Sequence, residues 1–329
     1  MNIAKRYVGA VLLAAALGGM AWSAAAQEAA RDYPSKPIRF VVPTPPGGFL
    51  DLLARVIGQK LSENWAQPIV VENRTGGGIT IGSSAVATAA PDGYTLLVVP
   101  PDFAINPSLY AKLPYDTLKD FAPVTLVAFG PSVLVVHPSV PVRSVKELVE
   151  LAKSKPGQLN YASAGNGSGG HLAMELFKTM AGVDLVHVPY RGLGPAVLDL
   201  VSGKVTVMFA QLAAVRRHID AGKLRAIGVA GKERSQAVPD LPTVAESGFA
   251  GFDVNPWFGI VAPGGTPKDI LAKLSAEIGK ITRLPEVKKK LSPFGAEFVS
   301  NTPEEFAAFM NSEVAKWAKV VKSAGVRVD

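Results

Sequence analysis

The sequence contains no cysteine, and this absence excludes two features of many exported proteins. Without cysteine there is no disulfide, and there is no thiol that could carry a lipid at the N-terminus of a mature chain. After Met20 there is also no long apolar run, whereas a transmembrane helix needs ~20 consecutive apolar residues. These absences favour a water-soluble protein without a covalent anchor.

Patterns typical of metal sites and nucleic-acid interfaces are missing as well. The chain has four histidines, which are too dispersed to indicate a metal site, and it has no His-Glu-x-x-His motif. The formal net charge is +7, but the basic residues are scattered and are not interleaved with aromatic ones. The one basic run, Lys288-Lys289-Lys290, is typical of a solvated helix face. We therefore expect no metal, no other cofactor and no nucleic-acid partner.

The N-terminus has the pattern of a secretory signal peptide. Lys5 and Arg6 precede an apolar stretch from Tyr7 to Met20, and the small residues up to Ala26 end in an Ala-x-Ala cleavage pattern. The apolar stretch is shorter than the ~20 residues that span a bilayer, which argues against a membrane anchor. We predict a signal peptide over residues 1–26 and a mature protein in the periplasm, a compartment that is poor in nucleotide cofactors.

Short runs rich in valine and isoleucine alternate with amphipathic stretches along the rest of the chain. An alternation of strand and helix is typical of a doubly wound α/β unit, in which helices cover a parallel sheet. One such unit begins at Ile38 and a second begins near Pro131. The length of the chain also favours two domains.

Two helical stretches close the chain, from Pro267 to Ile281 and from Pro303 to Ala324, and they need a sheet to cover. Either they cap the second unit, or the chain returns near Phe252 and packs them on the first unit. The second arrangement makes the first domain discontinuous and creates a cleft between two lobes, crossed by two hinge segments. Such a cleft can close on a ligand.

Two glycine-rich loops occupy equivalent strand-to-helix positions, Pro43–Asp51 in the first unit and Ser163–His171 in the second. Open α/β sheets bind ligands beside helix N-termini, where unpaired N–H groups and the helix dipole suit a carboxylate. Two such loops facing each other across a cleft suit a ligand with an anion at each end. Asp51 lies in a first helical turn, where we expect it to complete the hydrogen bonds of its own loop.

Two enzymatic interpretations of the second loop are weaker. Gly165, Gly167 and Gly170 have the spacing of a dinucleotide fingerprint, but the next strand ends at Val188–Arg191 without the acidic residue that would bind the ribose. A serine of the loop could form a hydrolytic triad with His171 and an aspartate, yet the loop lacks the Gly-x-Ser-x-Gly elbow of that class. The loop therefore favours a binding site.

A series of motifs runs through the chain in order from Tyr33 onward. It comprises YPSKPIRFVVPTPPGGFLDLLAR, VVENRTGGG, APDGYTLL, NPSLYAKLPYDTLKDFAPVTL, KPGQLNYASAGNGSGGHLAMELF, VPYRG, AGKLRAIGVAGKERSQAVPDLPTVAESG and WFGIVAPGGTP. Together these motifs closely resemble the Bug receptors, the periplasmic substrate-binding proteins of tripartite tricarboxylate transporters. The resemblance extends to the C-terminus and is specific for the family rather than for a ligand.

The resemblance implies an α/β fold of the type II periplasmic binding protein class. This fold is a two-lobed Venus flytrap in which each lobe is a doubly wound sheet flanked by helices. The first lobe is then discontinuous, with residues 27–128 and 254–329, and the second lobe comprises residues 129–253.

By the same resemblance, carboxylates are bound mainly by main-chain N–H groups and waters at the loops that match Pro46–Phe49 and Ser163–His171. Gln211 borders the cleft where many members have Asp-Asn, and Phe49 stands where many have a small hydroxyl residue, which favours a flatter or more apolar ligand. His171 is placed to donate to a carboxylate. The predicted ligand-binding residues are Pro46, Gly47, Gly48, Phe49, Ser163, Ala164, Gly165, Asn166, Gly167, Ser168, His171 and Gln211.

We therefore predict a monomeric receptor, not an enzyme, that captures a small organic mono- or dicarboxylate in the cleft. An aromatic acid of the terephthalate type is among the candidate ligands. The receptor would deliver its ligand to the membrane permease subunits of a tripartite tricarboxylate transporter. A periplasmic sensor for a signalling system is the alternative, and a periplasmic hydrolase is disfavoured by the missing elbow.

Overall fold

The structure is a computed structural model that describes residues 32–327. The predicted signal peptide, residues 1–26, lies outside this range. Within the described range, no helix combines the length and the apolar character needed to cross a membrane. Two β-sheets with helices on their faces make up this part of the chain.

Eleven strands and ten α-helices are described between residues 32 and 327. In chain order the strands are β1 (Ile38–Val42), β2 (Ile69–Asn73), β3 (Thr95–Val99), β4 (Phe121–Phe129), β5 (Ser132–Val136), β6 (Asn160–Ser163), β7 (Val186–Pro189), β8 (Val207–Gln211), β9 (Arg225–Val229), β10 (Trp257–Pro263) and β11 (Glu297–Phe298). The helices are α1 (Phe49–Trp65), α2 (Thr80–Ala87), α3 (Asp102–Leu109), α4 (Val145–Ser154), α5 (Gly169–Ala181), α6 (Leu193–Val201), α7 (Leu212–Asp220), α8 (Lys268–Arg283), α9 (Pro285–Leu291) and α10 (Pro303–Ala324).

The two sheets divide the chain into two lobes. The first sheet has the strand order β11-β4-β10-β3-β1-β2, and the second has the order β7-β6-β8-β5-β9. Because β10 lies between β3 and β4, the chain returns to the first sheet after completing the second. This is the second of the two arrangements that the sequence left open, and it makes the first lobe discontinuous.

Both sheets are mixed rather than fully parallel, which differs from the predicted pattern. β1 pairs in parallel with β2 and β3, but β10 runs antiparallel to β3 and β4. Likewise β6 pairs in parallel with β7 and β8, but β5 runs antiparallel to β8 and β9. The reason is that β5 and β10 follow the crossings between the lobes, so they start at the edge where β3, β6 and β8 end.

The two chain segments that connect the lobes lie side by side. The Gly130 N–H donates to the Pro256 carbonyl at 2.8 Å, and the Ser132 N–H donates to Asn255 Oδ1 at 3.2 Å. We call the paired segments, residues 130–131 and 255–256, the crossing ribbon. The lobe boundaries proposed from the sequence lie beside this ribbon and remain a prediction.

The C-terminal helix α10 contacts both lobes. It packs on β4 and α3 of the first lobe and on α5 of the second. Its start is fixed by a capping box, in which Thr302 Oγ1 accepts from the Glu305 N–H and the Glu305 carboxylate accepts from the Thr302 N–H. Pro303 at the first helical position has no N–H to leave unpaired. The largest apolar cluster follows α10 from one lobe into the other, through Phe306 and Phe177.

Candidate functional site

A cavity of about 270 Å³ lies between the lobes, at the edge where β3, β6 and β8 end. Its walls come from the turn after β3, from β10 and α10, from the starts of α5 and α6, from the end of β8, and from the crossing ribbon. The position agrees with the rule that open α/β sheets bind ligands at the carboxyl ends of their strands. It is therefore the candidate ligand site.

Helix α5 begins at this cavity with Gly169 and Gly170, which both line it. The N-cap residue Ser168 accepts no hydrogen bond from this first turn through its side chain, and its hydroxyl donates to the Gly165 carbonyl at 2.8 Å. The first N–H groups of a helix have no partner within the helix. The start of α5 thus presents N–H groups and the positive end of a helix dipole to the cavity, an arrangement that binds anions.

The rest of the second glycine loop is held by hydrogen bonds among its own residues and by one to His187 of β7. Ser163 Oγ accepts from the Gly165 N–H at 3.1 Å and lies 2.6 Å from His187 Nε2, with which it shares a hydrogen bond. Gly165 and Gly167 have φ values of +133° and +75°, a region that favours glycine. The loop therefore has a defined shape that depends on these glycines and on Ser163.

His171 makes its hydrogen bond within the loop, and a direct contact with the ligand stays a prediction. Its Nδ1 accepts from the Gly167 N–H at 3.0 Å, and its ring stacks on His187 with the centroids 4.0 Å apart. The residue is 6% exposed, and it is absent from the described residues that line the cavity. The hydrogen bond between the Gly167 N–H and His171 thus stabilises the shape of the loop.

The first glycine loop is closed by Asp51. The Gly47 N–H donates to Asp51 Oδ2 at 2.9 Å, Asn73 Nδ2 donates to Oδ1 at 3.0 Å, and Arg55 forms an ion pair with Oδ1 at 2.9 Å. Burial raises the pKa of Asp51, but these three partners outweigh burial and hold the pKa below its ordinary value. The predicted role of Asp51 in its own loop is confirmed.

The predicted binding residues of this first loop lie outside the described lining of the cavity. Pro46, Gly47 and Gly48 are exposed, and none of the described cavity-lining residues comes from Pro46–Phe49. The Phe49 ring packs against Phe258, with the centroids 4.6 Å apart, and Phe258 lines the cavity in its place. Phe49 therefore supports an aromatic wall instead of forming it, and a direct role for this loop in binding remains a prediction.

Three predicted residues do line the cavity, namely Ala164, Ser168 and Gln211. Gln211 ends β8, precedes α7 and has an exposed side chain. The other predicted members of the second loop do not line it: Ser163 and Gly167 are buried, Gly165 is partly buried and Asn166 is exposed.

The wall formed by the first lobe was not predicted from the sequence. Pro100, Pro101 and Asp102 follow β3, and Trp317 comes from α10. Helix α3, which begins at Asp102, has only eight residues and contains Pro107, so it lacks a recognisable helical period. The available signal was the position of Asp102 after a buried strand, where ligand-binding residues of α/β proteins lie.

A buried carboxylate lies behind this wall. Trp257 Nε1 and Trp317 Nε1 both donate to Glu313 Oε2, at 2.9 and 3.0 Å, and Glu313 is 5% exposed. Lys316 forms an ion pair with the other oxygen of Glu313 and donates to the Asp253 carbonyl at 2.9 Å. This network, which we call the Glu313 clamp, joins α10 to β10 and to the segment that leads into the crossing ribbon.

Charge is scarce in the cavity. Of the described residues that line it, only Asp102 has an ionisable side chain. Burial raises the pKa of the Asp102 carboxyl group above its ordinary value. Between residues 32 and 327, no group of three or more acidic and histidine side chains is placed to hold a metal ion.

A family model described as "Tripartite tricarboxylate transporter family receptor", TctC, matches residues 53–326. The chain belongs to this family. TctC proteins are solute-binding receptors, and the receptor is therefore a binding protein and not an enzyme. It is similar to the protein BugT of Bordetella pertussis, with 38% identity over 306 residues that cover 92% of this chain and 94% of BugT. The predicted Bug-type receptor is confirmed.

Two solved structures show the fold of this TctC receptor. Rpa4515 of R. palustris, solved with adipate, is 37% identical with a TM-score of 0.77, and the match covers 90% of this chain and 99% of that one. MatC of Rhodopseudomonas palustris, solved with bound malate, is 35% identical with a TM-score of 0.73, and the match covers 88% and 100%. These similarities confirm the predicted two-lobed α/β fold of a periplasmic binding protein.

The serine and histidine of the loop fit a receptor better than a hydrolase. Ser163 pairs with His187 and not with His171, which was the histidine of the hypothetical triad. Ser163 has an exposed fraction of 0%, so a substrate has no access to its hydroxyl. In this TctC receptor the pair stabilises the second glycine loop.

The histidine stack predicts that the receptor loses stability in acid. The His187 ring lies between those of Tyr161 and His171, at centroid distances of 4.7 and 4.0 Å. Burial, and next the nearby His171, lowers the pKa of His187 from 6.5 to about 4. The unfolded chain therefore takes up this proton at a higher pH than the folded chain does. The stability is fully present above pH 6.5 and falls as the pH drops toward 4.

We expect the free energy of unfolding to fall by about 2 kcal/mol over this range on account of His187, allowing for its partial exposure. Urea titrations at a series of pH values measure this change. In His187→Gln, which keeps a hydrogen-bond partner for Ser163, that share of the pH dependence should disappear. An unaltered pH profile in the variant would mean that His187 does not carry the effect.

Proposed function

We propose that this receptor captures a small organic carboxylate in the cavity between its lobes. The observation that carries the proposal is the start of α5, where Gly169 and Gly170 line a cavity that has no basic side chain among its described lining residues. Helix N-termini bind carboxylates through main-chain N–H groups without such a side chain. The ligand carboxylate therefore lies against the first turn of α5.

The size and walls of the cavity support a small, partly apolar acid. The volume of about 270 Å³ lies just below the range of roughly 300 to 1,000 Å³ that is typical of ligand pockets, which fits a compact ligand. Phe209, Phe258 and Trp317 contribute aromatic surface to the walls, which keeps aromatic acids among the candidates. The adipate bound to Rpa4515 and the malate bound to MatC are small carboxylates, and they support the same ligand class.

We further propose that the receptor acts in the periplasm as a monomer and presents its ligand to the membrane permease of a tripartite tricarboxylate transporter. The family to which the chain belongs supports this role. A strain that lacks this receptor but keeps the permease should lose uptake of the radiolabelled ligand, whereas loss of a sensor would change gene expression and leave the permease itself able to transport.

The direct test is the melting temperature of the purified protein, refolded to remove any carried-over ligand. Aliphatic and aromatic mono-, di- and tricarboxylates are screened, each beside its neutral amide. A ligand at a hundred times its dissociation constant stabilises the native state by about 2.7 kcal/mol. We expect a shift of about 5 °C with at least one acid and none with its amide. No shift with any acid in a broad panel would refute the proposal.

A further inference from the structure

Asp102 is the only ionisable side chain among the described residues that line the cavity. It is the first residue of α3 and is partly buried. Within residues 32–327, its carboxyl group has a single hydrogen-bond donor, which is its own backbone N–H, and it has no ion-pair partner. The carboxyl group therefore has free acceptor capacity inside a ligand cavity.

Asp102 and the start of α5 lie on walls that different lobes contribute. Asp102 follows β3 of the first lobe, and Gly169 and Gly170 follow β6 of the second. A ligand whose carboxylate lies against α5 thus extends toward a wall that carries a carboxyl group. We expected the loop Pro46–Phe49 to bind a second anion, but none of its residues is among the described residues that line the cavity.

We propose that Asp102 makes the receptor selective for carboxylates whose far end is a hydrogen-bond donor, an ammonium or a hydroxyl group, over dicarboxylates of the same length. This inference rests on the proposed function and narrows its ligand class. An ammonium or hydroxyl group gives Asp102 the partner that it lacks, in a charge-assisted hydrogen bond. A second carboxylate would instead bring two like charges together in a poorly solvated space, with no cation on the described walls to offset them.

The competing explanation is that Asp102 only stabilises the start of α3 and does not contact the ligand. An acidic residue in a first helical turn interacts favourably with the helix dipole wherever the helix lies. Asp269 provides the matched comparison, because it is also an acidic residue in the first turn of a helix, α8, and it is exposed and outside the cavity lining. A role restricted to the helix predicts the same effect for both residues on stability and none on ligand preference.

The experiment uses three probes with the same six-carbon chain and one shared carboxylate: 6-aminohexanoate, 6-hydroxyhexanoate and adipate. Isothermal titration calorimetry measures their affinities for the unmodified receptor, for Asp102→Asn and for Asp269→Asn. We expect the unmodified receptor to bind 6-aminohexanoate at least about tenfold more tightly than adipate, with 6-hydroxyhexanoate between them. Asp102→Asn should abolish this preference, and Asp269→Asn should retain it.

Several outcomes would overturn the inference. Adipate could bind the unmodified receptor as tightly as 6-aminohexanoate, the preference could survive in Asp102→Asn, or a dicarboxylate of the wider panel could bind while none of the three probes does. Each of these results leaves the carboxylate receptor in place and removes only the role of Asp102. If no carboxylate of the whole panel binds or shifts the melting temperature, by contrast, the proposed function itself is refuted.

Discussion

A Gly170→Val variant is expected to fold and to lose ligand binding almost completely. A Cβ atom at Gly170 would lie 2.9 Å from the Phe209 carbonyl oxygen, closer than real contacts of this kind. Because that oxygen belongs to β8, it cannot rotate away, and the start of α5 has to move instead. The N–H groups that we assign to the ligand carboxylate would move with it.

The expected loss of affinity is roughly hundredfold or more, since charge-assisted hydrogen bonds contribute about 1.5 to 3 kcal/mol each. Calorimetric titration with the acid identified in the melting screen measures this loss. Gly194→Val is the matched control, because a Cβ at Gly194 meets no atom within 4 Å. Undiminished affinity in a folded Gly170→Val protein would remove the start of α5 from the site.

Removal of the Glu313 carboxylate should lower the free energy of unfolding more than any other change that we predict. Glu313→Ala leaves the indole N–H groups of Trp257 and Trp317 without their acceptor, and it leaves Lys316 without its ion-pair partner. Breaking a buried pair by removing one partner costs about 3 to 5 kcal/mol. We expect a decrease of this size in the free energy of unfolding, measured by urea denaturation. Binding should weaken as well, because Trp317 lines the cavity.

The control for this variant is Glu313→Gln, which keeps one oxygen as an acceptor for the indoles but removes the charge. Its stability should lie between those of the unmodified protein and of Glu313→Ala. If Glu313→Ala unfolded at the same urea concentration as the unmodified protein, the clamp would contribute nothing to stability, and its role would be limited to the orientation of Trp317.

The sequence predicted those elements whose signals are local. Helix α10 has the predicted bounds, Pro303–Ala324, because Thr302, Pro303 and Glu305 mark its start independently of the rest of the fold. Strand β4 was missed, since it contains Pro123 and is buried on both faces in its centre, so it shows no alternation of polar and apolar residues. Helix α9 was also missed, because its seven residues give too little periodicity.

The candidate site was predicted in its outline but not in its detailed contacts. The second glycine loop could be predicted because glycines between a strand and a helix indicate an exposed helix start. The hydrogen bond from the Gly167 N–H to His171 Nδ1 could not be predicted. A sequence does not show which ring nitrogen of a histidine faces a given backbone N–H. Trp317 reaches the cavity only because β10 returns the chain to the first sheet, a choice that local patterns left open.

The crossing ribbon also has a kinetic consequence. The hydrogen bond between Gly130 and Pro256 ties the two connections together, so they resist shear and separation more than two independent strands would. Relative motion of the lobes must bend this ribbon and must also break or shift the contacts that α10 makes with α5 of the second lobe. We therefore expect the dwell time of a bound acid to depend on how often the lobes separate as well as on how tightly the walls bind the acid.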